Sequence, residues 1–289
     1  MEHWSNVLGA WTFDPAVLLG GVAIAVAYGS AVHAINGRGA NNPWPGKATA
    51  FFYSGLLLTL MMLQGPPAAF DDTFFLAHMV QHIGLVMFCA PLLLLGNPVL
   101  LLLRVATRSQ RKRWLVPVLR GRVTLVATGP VTSWLVLALV IVGTHVTGFY
   151  ELALEHPALH RFVEHPLFLG AALLYFYPIL PGNAAVRRLS PAARMASLFA
   201  MMVPEAMTGF FIYASRYVRY PHYEQVVRPY GPGPLADQQM GGALMWGASM
   251  LIDTAWIALA AHEWLRSETR RSHRVDLAVA KELQAHRHV

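Results

Sequence analysis

Long apolar stretches separated by short polar connections dominate the sequence. Seven of them lie near residues 15–36, 47–64, 74–95, 123–146, 158–181, 191–213 and 240–264. At ~1.5 Å of rise per helical residue, each is long enough, or nearly so, to cross the hydrocarbon core of a bilayer. The run from Pro98 to Val105 is too short to span and is expected at the interface or as an extension of the loop. We therefore predict an all-α, polytopic membrane helix bundle of about seven transmembrane helices.

The composition supports a membrane protein over a water-soluble one. Hydrophobic residues make up 55% of the 289 residues, and charged residues only 13%. Soluble domains carry about 25% charged residues. The formal charge of +7 comes from short basic stretches between the apolar runs. This distribution is typical of a protein embedded in a lipid bilayer, and it does not predict binding to nucleic acid.

The basic residues also predict the orientation. Most of the 22 Lys and Arg residues lie in the connections after spans 1, 3 and 5 and in the C-terminal tail. Positive charge is retained in the cytoplasm, so the N-terminus is predicted outside and the C-terminus inside. We divide the chain into a transmembrane domain, residues 1–265, and a basic cytoplasmic tail, residues 266–289.

Ionisable residues collect at the predicted outer ends of three spans, where they are functional candidates. His78 and His82 are four residues apart, which places both on one helix face. In an ideal helix His160 and Glu164 share a face, and His165 is turned away by about 140°. The predicted metal ligands from this outer depth are His78, His82, His145, His160, Glu164 and His165.

The chemistry of these residues favours a transition metal. Imidazole suits copper, zinc and iron, and nearby thioethers such as Met79 or Met240 favour Cu(I). Zinc and haem stay open as alternatives. The residues expected to orient the ligands or close the site are Gln81, Asp237, Gln238 and Met240.

Several of these segments, taken in order, resemble a known family. The segments are Phe75–His82, Ala90–Pro98, His145 with Phe149–Tyr150, Leu159–His160 with Glu164–His165, and Asp237–Gly242 with Met245–Trp246. Over roughly residues 10 to 265, the chain resembles the multi-span bacterial cytochrome c oxidase assembly factors called CtaG, which are associated with caa-type oxidases.

The resemblance implies a non-enzymatic protein of the bacterial plasma membrane that helps to assemble cytochrome c oxidase, with copper as the metal it handles. The implied partners are oxidase subunits and a periplasmic copper donor. It also implies a seven-helix membrane fold.

Three other functions compete with this interpretation. Histidines from two helices, such as His82 with His145 or His165, could ligate haem in an electron-transfer protein. Glu164 or Glu205 could serve as general base in an intramembrane zinc or iron enzyme. Finally, the cluster could be a hydrogen-bonded polar core in a scaffold protein.

Overall fold

The fold is helical throughout the part of the chain that can be described. A computed structural model describes residues 9–37, 42–180, 189–228 and 230–286, and these ranges contain helices and no strand. The long helices are α1 (Pro15–Asn36), α2 (Gly46–Gln64), α3 (Phe75–Val105), α4 (Pro130–Val146), α5 (Phe149–Glu155), α6 (residues 157–176), α7 (Pro191–Tyr213) and α8 (Pro234–His286). Short helices occur at Pro66–Phe70, Arg108–Gln110, Arg111–Leu115, Val116–Arg120, Arg122–Ala127 and His222–Gln225.

Five of the described helices are long and apolar enough to cross a membrane. A sixth crossing results if α4 and α5, which are bent by 67° at their junction, are counted as one. The chain is therefore a multi-pass membrane protein, but the predicted count of seven spans is not confirmed. The orientation of the termini stays a prediction.

Two predicted boundaries differ from the observed helices. The run Pro98–Val105 does not stand apart at an interface, because it continues α3 past a left-handed Asn97. The predicted span 123–146 is broken, since Arg122–Ala127 ends before α4 begins at Pro130. Gly129 is extended there, as the residue before a proline prefers to be.

Small residues set the closest helix contacts. A Cβ atom on Gly209 of α7 would lie 2.7 Å from the backbone nitrogen of Trp246 in α8. A Cβ atom on Gly55 of α2 would lie 2.8 Å from the backbone nitrogen of Leu93 in α3. Such glycines let helix backbones approach closely, as is common in membrane bundles.

Helix α1 is attached mainly at its two ends. Near one end the Tyr28 ring stacks on Phe52 with ring centroids 3.7 Å apart, and its hydroxyl donates to the Gly96 carbonyl at 2.8 Å. At the other end Asp14 accepts a hydrogen bond from Arg161 of α6 at 2.6 Å. Between these attachments most of α1 is exposed, although Gly21 packs against Leu60 of α2. A cavity is lined by residues of α1, α2 and α6.

Candidate metal centre

The first turns of α3 carry His78 and His82 into the interior of the bundle. Both side chains are buried, and their ring centroids lie 3.9 Å apart. Asp237 of α8 fixes the start of α3, because its carboxylate accepts from the backbone N–H groups of Phe75 and Leu76 at 2.8 and 3.2 Å. The histidine pair is therefore anchored by a capped helix end.

His145 approaches the same point from the last turn of α4. Its ring centroid lies 6.0 Å from that of His78 and 5.7 Å from that of His82. Its Nδ1 lies 2.9 Å from the Ile141 carbonyl, which can only accept, so the proton belongs on Nδ1. The lone pair of Nε2 is then free for a metal, and this atom is buried without a hydrogen-bond partner among the described residues.

A π-helical turn at His160–Glu164 brings the residues of α6 into the cluster. In this turn residues five apart are hydrogen-bonded neighbours, so His165 lies beside His160, with ring centroids 4.6 Å apart. The expectation that His165 turns away from His160 assumed an ideal α-helix and was wrong. Single π-turns of this kind occur frequently at functional sites.

Glu164 lies between His160 and the pair formed by His78 and His82. Its Oε2 lies 2.6 Å from Nδ1 of His160, whereas its Oε1 lies 3.7 Å from Nε2 of both His78 and His82. A separation of 3.7 Å is too long for a hydrogen bond. It is suitable for two ligands of one ion, since bonds of 2.0–2.2 Å place ligand atoms about 3.4 Å apart in a tetrahedron and about 4.1 Å apart in a line.

Asp71 also belongs to the cluster, although it was not among the predicted ligands. It lies between Pro66–Phe70 and α3, and its Oδ2 is 3.2 Å from Nε2 of His160. Burial raises the pKa of Asp71, and the hydrogen bond with His160 opposes that rise. The signal available beforehand was only its place in a loop next to the histidine helix.

The buried nitrogens of the cluster lack ordinary partners. Among the described residues, both ring nitrogens of His78 and His82 have no hydrogen-bond partner, nor do Nε2 of His145, Nε2 of His165 and Oε1 of Glu164. Buried polar atoms are nearly always paired, so a concentration of unpaired ones requires an explanation. A metal ion bonded to them would supply it, and the donor set fits such an ion.

The donor atoms fall into three overlapping groups, within each of which they lie within 4.8 Å of one another. These groups are His78 with His82 and His145, Asp71 with His160 and His165, and His78 with His160 and Glu164. All six predicted ligands therefore lie in one cluster. We call the first set the inner group and the second set the outer group.

The four residues expected to support the ligands lie elsewhere. Asp237 caps α3 and pairs with Arg228 at 3.1 Å, and Gln238 bonds the backbone of Tyr217 and Arg219. Gln81 donates to the Met62 carbonyl of α2 at 2.8 Å instead of to an imidazole. The Met240 side chain faces outward, with 48% of its surface exposed. The expectation that Asp237 and Gln238 close the site directly was therefore wrong.

Aromatic residues surround the inner group. The Tyr150 ring lies 4.1 Å from that of His78, and its hydroxyl hydrogen-bonds that of Tyr223. Tyr223 in turn donates to the Asp71 carbonyl at 2.6 Å, and Tyr220 donates to the His145 carbonyl at 2.9 Å. The loop before α8 thereby covers the inner group.

A second polar feature lies deeper in the bundle. A cavity of about 30 Å³ is lined by His82, His145 and Glu205, together with Met79, Met87 and Met245. Glu205 is buried, and the neighbouring charged group is Asp253 of α8.

Comparison with known families gives an extended match. A family model described as "Cytochrome c oxidase caa3 assembly factor (Caa3_CtaG)" matches residues 26–267. All of the cluster residues lie within this range.

Comparison with curated proteins finds mycobacterial relatives. Uncharacterized proteins of Mycobacterium bovis and Mycobacterium tuberculosis are each 28% identical over 279 residues, and one of Mycobacterium leprae is 27% identical over 274 residues. The matches cover 92–94% of this chain but only 41–42% of the relatives. The chain therefore spans less than half the length of these proteins. No solved structure matches significantly.

Proposed function

Because the chain belongs to the cytochrome c oxidase caa3 assembly factor family, we propose that it binds copper and helps to metallate the oxidase. The observation that carries the proposal is the set of unpaired, buried imidazole nitrogens of His78, His82 and His145 beside Glu164. The protein needs no catalytic chemistry for this role. It needs a site that holds the ion and a face that meets an oxidase subunit or a copper donor.

Copper is favoured over zinc by what surrounds the inner group. Met79, Met87 and Met245 line the small cavity next to His82 and His145. Soft sulfur ligands select Cu(I), whereas zinc sites rarely use thioethers. Met240, which the sequence also offered, points outward and has no part in this proposal.

The residues of the cluster would have separate roles. His78, His82 and His145 would bind the ion through nitrogen, with Glu164 Oε1 as a fourth ligand. His160 would orient Glu164 through the 2.6 Å contact between its Nδ1 and Oε2. Residues in such orienting positions commonly affect metal affinity by 10–100-fold.

The location of the site follows from the predicted topology. With the N-terminus outside, the cluster lies near the outer face of the bacterial plasma membrane. The loop before α8, with its arginines and tyrosines, would then face the periplasm and provide contact with oxidase subunits or a periplasmic copper donor.

Elemental analysis and a visible spectrum of the detergent-purified protein test the proposal. We expect near-stoichiometric copper without a Soret band, and loss of that copper in a His78→Ala/His82→Ala double variant. A His156→Ala variant is the matched control, since this exposed histidine lies outside the cluster.

Each contrary result points to a different function. No metal in either protein after incubation with Cu(I) would refute the ligand assignment and favour a scaffold with a polar core. A Soret band would indicate haem, although the 30 Å³ cavity beside His82 and His145 is far too small for a macrocycle. Bound zinc or iron with hydrolytic activity would indicate a metalloenzyme.

Oxidase purified from cells that carry only the double variant should lack copper if the proposal is right.

A further inference from the structure

A large cavity leads from the surface of the protein to the outer group. It has a volume of about 640 Å³ and lies between α1, α2 and α6. Thr12 and Asp72 line it at the histidine end of the bundle, and Ile24 and Leu56 line it farther along α1 and α2. Its wall includes Asp71, His160 and His165. The cavity therefore gives the outer group contact with the exterior.

The inner group does not open onto this cavity. His78, His82 and His145 do not line the large cavity, and all three are nearly or completely buried. An ion that reaches the inner group from this side has to pass the outer group first. Between the two groups stands Glu164, with Oε2 on His160 and Oε1 facing His78 and His82.

The outer group has the geometry of a metal site. The 3.2 Å between Oδ2 of Asp71 and Nε2 of His160 is close to the spacing of about 3.4 Å between tetrahedral ligands. Nε2 of His165 is buried without a hydrogen-bond partner among the described residues and completes a set of three donors within 4.8 Å. An ion can therefore enter this group with little movement of the side chains.

The outer group also suits transient binding. It offers a carboxylate and two imidazoles and, in the described structure, no thioether lines the cavity that it faces. The inner group offers three imidazoles, Glu164 and a cavity lined with methionines. For a soft ion such as Cu(I), binding at the inner group is the stronger of the two.

We propose that Asp71, His160 and His165 form a capture site that takes Cu(I) from the large cavity and passes it, through Glu164, to the inner group. The step is ligand exchange without a change of oxidation state. The ion breaks its bonds to Asp71, His160 and His165 and forms bonds to His78, His82, His145 and Glu164. The proton shared between His160 and Asp71 leaves through the cavity to bulk solvent when the ion binds the outer group, and a proton returns by the same route when the ion moves on. This inference rests on the proposed copper function of the inner group.

The test compares the rate of loading with the final occupancy. Purified protein is mixed with Cu(I) held by a competing chelator, and uptake is followed by the colour of the chelator complex. We expect Asp71→Asn and His165→Ala to slow loading of the inner group by about tenfold or more while its final occupancy is kept. Asp72→Asn is the matched control, because Asp72 also lines the cavity but is exposed and is outside the outer group.

A second variant leaves all ligands untouched. Gly20 lines the cavity, and a Cβ atom built on it would meet no atom within 4 Å. Gly20→Phe should therefore fill part of the cavity without strain in α1, and we expect slower loading with normal final occupancy. Gly143→Ala, which also meets no atom within 4 Å, is its control away from the cavity.

The outcomes separate this inference from the proposed function. Loading at the wild-type rate in Asp71→Asn, His165→Ala and Gly20→Phe would overturn the capture site while leaving copper binding intact. A His82→Ala/His145→Ala variant should still bind Cu(I), more weakly, at the outer group, and complete loss of binding there would also overturn the inference. Failure of the wild-type protein to bind Cu(I) would refute the proposed function and the capture site together.

Discussion

The substitution Asp237→Asn tests whether Asp237 stabilises the start of α3, which carries the histidine pair, or instead binds the metal directly. Asp237 accepts from the backbone N–H groups of Phe75 and Leu76 and pairs with Arg228, whose side chain is only 10% exposed. The substitution preserves shape and one acceptor oxygen but removes the charge. We expect the start of α3, and with it the anchor of His78, to be weakened.

The expected magnitude follows from this burial. Breaking a buried ion pair by removing one partner costs about 3–5 kcal/mol. Arg228 keeps hydrogen bonds to the carbonyls of Pro232 and Tyr223 at 3.2 and 3.4 Å, so we expect a loss near the lower end, about 3 kcal/mol. By the scaling measured for soluble domains, this lowers the unfolding midpoint by about 6 °C or more.

The sole cysteine of the chain provides the assay. Cys89 is completely buried, so a thiol-reactive fluorescent dye reports its exposure as the protein is heated in detergent. The neighbouring substitution Asp72→Asn changes an exposed carboxylate and should leave the midpoint unchanged. An Asp237→Asn midpoint equal to that of the wild type would refute the assignment of Asp237 as a stabilising cap. An Asp237→Asn variant that unfolds at the wild-type midpoint but no longer binds copper would instead indicate that Asp237 contacts the metal directly.

The remaining predictions concern helix packing and topology. Gly209→Ala should destabilise the protein by about 1–3 kcal/mol, since its Cβ meets the α8 backbone, whereas Gly143→Ala should not. Tyr28→Phe should cost about 1–2 kcal/mol through the lost hydrogen bonds to Gly96 and from Trp44, and an unchanged midpoint would contradict this. In a Cys89→Ala background, Asp72→Cys should react with an impermeant thiol reagent in intact cells and Ser267→Cys only after permeabilisation. The reverse pattern would contradict the predicted orientation.

Most of the architecture could be predicted from hydropathy and helical spacing. Most of the apolar runs correspond to observed helices, because a chain inside a bilayer has to satisfy its backbone internally. The boundaries of α1 and α7 agree closely with the predicted spans 15–36 and 191–213. The break before Pro130 and the continuation of α3 through Asn97 depend on local backbone geometry, which hydropathy does not report.

Part of the candidate site could likewise be predicted from the sequence, and part depends on the tertiary structure. The i, i+4 spacing of His78 and His82 and the shared depth of the other histidines are properties of the sequence, and they were sufficient to choose six of the seven cluster residues. The cluster becomes two groups of candidate ligands only through contacts between distant segments. A π-helical turn rotates His165 toward His160, and packing of α6 against the loop before α3 brings Asp71 to His160. Asp237 and Gln238 had the right chemistry, but α8 is packed so that they bind backbone groups instead of facing the histidines. Spacing along the chain determines which residues share a helix face, whereas only the tertiary structure determines which atoms from different helices point at the same place.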